Sequence, residues 1–227
     1  MKIPALATLF ALCIAPLAAQ APAAGDTKTP LSAAASVPAT PTTHADPVGF
    51  SYTLPADWQL LDMQPAMPAI RQRFDKDASS EEEKKGLACA QVTFTARHGD
   101  PPSVIVAVTL PFDCWGTTLK DNDLPGFAVG TAGGLKKSWN VIDPQYSAYT
   151  LGGHSMWIER ATGNPLDHPE SKKNIEVVCS ILKKGAVCWM AFAADDASMK
   201  TFEQGSVTLD DDAPAALVPA SAFSPKP

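Results

Sequence analysis

The clearest hydrophobic rhythm along the chain begins near residue 48. GFSYTLP sets Phe50, Tyr52 and Leu54 on one side of an extended segment, with Ser51 and Thr53 on the other. That period of two predicts a half-buried strand. Trp58 to Leu61 is expected to continue it after a turn at Pro55-Ala56-Asp57. QVTFTA, residues 91–96, alternates again, and the turn HGDPP leads into SVIVAVTL. A continuous apolar run of that length suits a central strand covered on both faces. SAYTLGG, HSMWIER, IEVVCSIL and AVCWMAF follow at a spacing that predicts an antiparallel meander. Three segments carry helical signals. Residues 66–85 end in EEEKK, where Glu81 and Lys85 form a weak supporting pair. Residues 124–139 start after Asp123, a capping residue, with Pro125 in the first turn and Leu124, Phe127, Leu135 and Trp139 as an apolar side. Residues 197–204 follow Asp195-Asp196, with Met199 and Phe202 directed inward. The expected product is an α+β fold: an antiparallel meander with helices packed on it.

The two ends read differently. Lys2 precedes IPALATLFALCIAPLAA, an apolar run followed by small residues, which is the pattern of a secretory signal peptide over 1–21. The run is short for a bilayer span and contains Pro4 and Pro16. Residues 22–47 are rich in Pro, Ala, Ser and Thr with no aromatic residue, so a disordered linker is expected. One globular domain is expected over 48–209. Residues 210–227 predict a Pro-rich acidic tail, although Leu217, Val218 and Phe223 offer apolar groups that can dock back. No other segment is apolar enough to span a membrane. The mature chain is then a periplasmic or extracellular protein with 17 basic against 24 acidic residues. An acidic chain without a basic stripe is a poor partner for nucleic acid.

Without Cys13 of the leader, Cys89, Cys114, Cys179 and Cys188 remain. An even count in an oxidising compartment predicts two disulfides, for which three connectivities exist. There is no CxxC, and no histidine pair accompanies Cys179 and Cys188 as a zinc site requires. Folding HGDPP as a turn brings Cys89 near Cys114, which leaves Cys179 with Cys188 as the favoured pairing. The hairpin register decides whether that second bridge can close. A Lys183-Lys184 loop puts the two cysteines directly opposite, but two-residue loops often need positive φ, which Lys disfavours. A Lys184-Gly185 loop leaves them diagonal. A three-residue loop with a Gly185 bulge points them to opposite faces. Turn chemistry favours the last arrangement, and cysteine arithmetic favours the first two.

Candidate chemistry is sparse. Gly153-His154-Ser155-Met156-Trp157 begins like a nucleophile elbow, but Trp157 stands where the second glycine belongs and the segment joins two strands. Gly126, Gly130, Gly133 and Gly134 match no phosphate-binding spacing. Asp167, His168 and Glu170 read as a solvated loop, and Asp210 to Asp212 as an acidic turn; neither predicts a metal. Trp115 and Trp189 alternate with apolar neighbours and are the candidates for lining a ligand groove.

The opening GFSYTLPADW, the order of strands and helices, and the closing TFEQGSVTL resemble PsbP-like domains. Phe50, Leu54, Pro55, Trp58 and Phe202 carry the resemblance, which covers residues 48–209. It implies an alpha-beta-alpha sandwich and no single activity. No catalytic residue or cofactor comes with it, and the four cysteines match no pattern of that family. The leading expectation is therefore a noncatalytic exported domain that binds a small apolar or sugar ligand, or an envelope protein. One alternative is a hydrolase using His154 and Ser155. Another is a structural accessory protein with no ligand.

Overall fold

The computed structural model describes residues 40–65, 67–68, 71–72 and 80–223. In chain order these form β1 (Thr42–Asp46), β2 (Phe50–Leu54), β3 (Gln59–Leu60), α1 (Glu81–Cys89), β4 (Gln91–His98), β5 (Ser103–Pro111) and α2 (Phe112–Trp115). Then come α3 (Leu124–Leu135), β6 (Trp139–Leu151), β7 (His154–Pro165), β8 (Lys173–Ile181), β9 (Gly185–Ala193), α4 (Asp196–Glu203), β10 (Ser206–Leu209) and β11 (Ala215–Ala216). A short 3-10 turn, Asp121–Asp123, leads into α3.

The large sheet has the strand order β3-β4-β5-β9-β8-β7-β6, and each neighbouring pair is antiparallel. β6 to β9 are the expected meander, and β5 inserts beside β9. The continuous apolar run of β5 is buried from Ser103 to Leu110, and every residue of β9 is buried, as central strands require. A second sheet, β1-β2-β10-β11, packs across one face. There Phe50, Tyr52 and Leu54 of β2 are buried while Ser51 and Thr53 lie nearer solvent, as their alternation predicts.

Side chains alternate across the large sheet, so it builds two cores. One is closed by α1, α2 and α3, with Phe127, Ala128 and Leu135 against Val177, Met190 and Phe192. The other is closed by the small sheet and α4, with Phe50, Tyr52 and Phe202 against Ile158, Val178 and Trp189. Tyr52 donates its hydroxyl to the Phe202 carbonyl at 3.1 Å, tying β2 to α4. The result is a layered α+β sandwich. Asp195 caps α4 by accepting from the Ser198 amide at 2.8 Å.

Several boundaries differ from expectation. The helix expected over 124–139 stops at Leu135, because Trp139 opens β6 and packs its ring 4.7 Å from Phe192. Of the segment expected to be helical over 66–85, part lies outside the described residues, and α1 runs on to Cys89. Trp58 to Leu61 does not extend β2: Gln59 and Leu60 form β3 at the far edge of the large sheet. The linker expected over 22–47 is too long at its end, since Thr42–Asp46 pairs antiparallel with β2 in register Thr42↔Leu54 to Asp46↔Phe50. The signal peptide and the rest of that linker lie outside the described residues. The C-terminal segment does not hang free as far as Phe223: β11 pairs with β10, and Leu217, Val218 and Ala222 are buried in the second core. Among the described residues no helix is long and apolar enough to cross a membrane.

Candidate functional site

Both expected disulfides are present, Cys89–Cys114 and Cys179–Cys188. The first joins α1 to α2 with its Cα atoms 5.6 Å apart. The second is a cross-strand staple between directly opposed residues of β8 and β9, Cα atoms 4.2 Å apart, completely buried. The hairpin uses the two-residue loop Lys183-Lys184, with the Leu182 amide bonded to the Gly185 carbonyl at 2.8 Å. Neither lysine adopts positive φ. Turn chemistry therefore pointed to the wrong register, and the reason lies at Gly185. A Cβ there would stand 2.8 Å from the Leu110 carbonyl oxygen and 2.8 Å from Val48 Cγ1. This glycine is required for close packing between strands, not for a bulge.

The elbow-like motif does not assemble a catalytic pair. Ser155 Oγ donates to Asp121 Oδ2 at 3.2 Å. His154 Nε2 lies 3.4 Å from Asp212 Oδ2 and 3.5 Å from Asp210 Oδ2. As neighbours on β7 the two side chains serve different partners, and the imidazole has no contact with the hydroxyl it would need to deprotonate. Trp115 and Trp189 line no groove. Trp115 belongs to the helix-covered core and Trp189 to the other, and both are buried. Their alternation with apolar neighbours was the signature of core strands and a core helix.

A cleft of about 670 Å³ opens elsewhere, between β6, β7, β8, α4 and the C-terminal segment. At its wall Arg160 of β7 donates through Nε to Glu176 of β8 and through Nη2 to Glu203 of α4, the latter at 2.6 Å. The guanidinium also stacks 4.2 Å from the centre of the Phe223 ring. Glu176 is wholly buried, and its Oε2 has no hydrogen-bond partner among the described residues. Burial pushes its carboxyl up to about 8, Arg160 opposes the rise and Glu203 adds to it. Tyr149 donates to the Leu217 carbonyl at 2.6 Å, holding the C-terminal segment on the sheet. Burial first, then the Glu176 and Glu203 charges, raise its phenol well above the usual range.

The rim differs from the wall. A β-bulge in β6 between Ile142 and Gln145 carries Asp143 at φ +51°, a backbone conformation that Asp tolerates better than most residues. Asp196, at the start of α4, accepts from Asn174 Nδ2 at 2.8 Å. Pro219, Ala220 and Phe223 supply an apolar side. The cleft thus combines hydrogen-bonding groups on one side with an apolar surface on the other, which is how small-molecule sites orient a ligand. None of these residues stands out by motif. The one signal was Glu176 itself, a carboxylate at the same inward parity as Val178 in a strand whose only other charged residue is Lys173 at its start.

No protein-family model and no curated protein matches the chain. Among solved structures it is similar to the solution structure of cyanobacterial PsbP, CyanoP, from Synechocystis sp. PCC 6803. The two share 13% identity over 76% of this chain and 91% of that one, with a TM-score of 0.41. This is a weak PsbP-like resemblance, one of fold, and no functional statement comes with it.

Proposed function

We propose that this is a noncatalytic binding domain of an exported protein, and that the cleft beside Arg160 takes a small sugar-like ligand. The mixed lining of the cleft carries the reading. A sugar ring offers hydroxyl edges to acceptors such as Asp143 and Asp196 and a C–H face to an apolar surface such as that of Pro219 and Phe223. The two disulfides favour an oxidising compartment, periplasmic or extracellular. The test is a heteronuclear NMR titration of the full chain with a panel of neutral mono- and oligosaccharides. Amide shifts confined to Asp143–Gln145, Arg160–Thr162 and Val218–Phe223 are expected. No shifts, or shifts only elsewhere, overturn the reading.

A protein partner is the second reading, favoured by β6. This thirteen-residue strand forms the outer edge of the large sheet and leaves Tyr146 and Ile142 exposed. A free edge can accept a strand from another chain. Shifts along β6 on addition of an envelope extract, without shifts at Arg160, would move the assignment there.

A further inference from the structure

We propose that Cys114 is a site of thiol–disulfide exchange, where an external thiol opens the Cys89–Cys114 bridge reversibly while Cys179–Cys188 stays closed. The proposal is independent of the sugar-binding reading and concerns the helix-covered side of the sheet. The two bridges differ in access, and access governs exchange. Cys179 and Cys188 are wholly buried beneath α3, so a thiol reaches them only through the core. Cys89 is 5% exposed, but Cys114 is exposed and lines a second cavity of about 560 Å³ beside Pro111, Phe112, Lys183 and Lys184. The same lining carries Asp46 and Asp113 against the two lysines, a balance of charge that bars neither a neutral nor an anionic thiol. Attack is therefore directed at Cys114 Sγ.

The elements around the bridge are fixed without it. Cys89 lies just ahead of β4 and Cys114 just past β5, and these strands are paired from Gln91↔Thr109 onward. The Phe112 amide donates to the Lys184 carbonyl at 2.9 Å, and the Gly116 amide to the Phe112 carbonyl at 2.7 Å. Leu87 and Trp115 anchor α1 and α2 in the core. Opening the bond therefore leaves the two sulfurs side by side. In the forward step an external thiolate bonds to Cys114 Sγ. The Cys89–Cys114 bond breaks, and its electron pair leaves on Cys89 Sγ, which takes a proton from solvent. In the reverse step the Cys89 thiolate attacks Cys114 Sγ and expels the external thiol, which restores the bridge. A second external thiol attacking the outer sulfur instead leaves Cys114 as a thiol and carries the oxidation away as its own disulfide.

The test incubates the full chain with reduced glutathione at about pH 8, where a small thiol is partly ionised, followed by acid quench, alkylation and peptide mapping. Cys89 is expected to be alkylated, with Cys114 alkylated or carrying glutathione, while the Cys179 and Cys188 peptides remain linked. Opening of both bridges at one rate shows that attack needs unfolding and overturns the proposal. So does a Cys89–Cys114 bridge that stays closed. This arm uses the wild-type chain and decides the proposal without a substitution. Two variants then locate the attacked sulfur. With oxidised glutathione, Cys89→Ser should take up glutathione at Cys114 about tenfold faster than Cys114→Ser takes it up at Cys89. Equal uptake, or faster uptake at Cys89, overturns the assignment to Cys114.

Discussion

The two faces of the large sheet share the same seven strands but are closed in different ways. One is covered by helices from the middle of the chain, and beneath α3 the buried Cys179–Cys188 bridge clamps the two inner strands. Thr131 of α3 lies 3.8 Å from Cys188 Sγ there. The other face is covered by pieces from both ends of the described chain: β1 and β2, then α4, β10, β11 and the segment to Phe223. Part of that cover is held by charge, through Arg160 of the large sheet to Glu203 of α4. A cover made of several separate pieces leaves gaps where they meet, and the cleft lies at such a meeting point.

The contrast predicts where substitutions act. Phe127→Ala should have the largest effect, because the ring is completely buried beneath α3. A loss of about 3–5 kcal/mol is expected in urea unfolding. The cleft amides of the surviving folded fraction should keep their chemical shifts. If they move, the two faces are not independent. Replacing Cys179 and Cys188 together by Ala comes next, with an expected cost of about 2–3 kcal/mol for a bridge that closes a short loop. No loss would mean that the hairpin holds its register without the bond.

The smallest effect belongs to the charged face. The Glu176 carboxyl is raised in the native state, so the native protein holds a proton that the unfolded chain releases. This contribution to stability is complete below the ordinary carboxyl range near 4.5, and it is lost as pH rises through about 8. Glu176→Gln should flatten that decline, a change on the order of 1 kcal/mol because the partner Arg160 is partly screened by solvent. The measurement is the urea midpoint of both proteins across that pH range. A wild-type midpoint independent of pH would show that Arg160 holds Glu176 ionised throughout.

Much of the fold was legible along the chain, and the reasons are local. Phe50, Tyr52 and Leu54 alternate because one side of β2 is buried. Residues 103–110 are apolar throughout because β5 is covered on both faces. Pro125 marks the first turn of α3 and Asp195 caps the start of α4, while Asp123 precedes α3 without a side-chain cap bond to it and accepts instead from the Lys120 amide. Element order and count favoured the pairing of the four cysteines, while the hairpin register left the second bridge open. The cleft was not legible, because its residues come from β6, β7, β8, α4 and the C-terminal segment, each unremarkable in its own stretch. Trp115 and Trp189 attracted a binding role because large aromatic rings suit both cores and grooves, and only burial separates the two.

The sequence by itself determined the centres of most strands and helices, favoured the pairing Cys89–Cys114 and Cys179–Cys188, and pointed to an antiparallel α+β sandwich, since periodicity and capping act within a few residues of one another. Only the tertiary structure decided the hairpin register, where the Leu110 carbonyl and Val48 leave room for nothing larger than Gly185. It also decided that Trp139 begins a strand against Phe192 and that the C-terminal segment docks under Tyr149. Above all it brought Arg160, Glu176, Glu203 and Phe223 together. Those outcomes depend on what a segment packs against across the fold, and no local pattern encodes the identity of a distant neighbour.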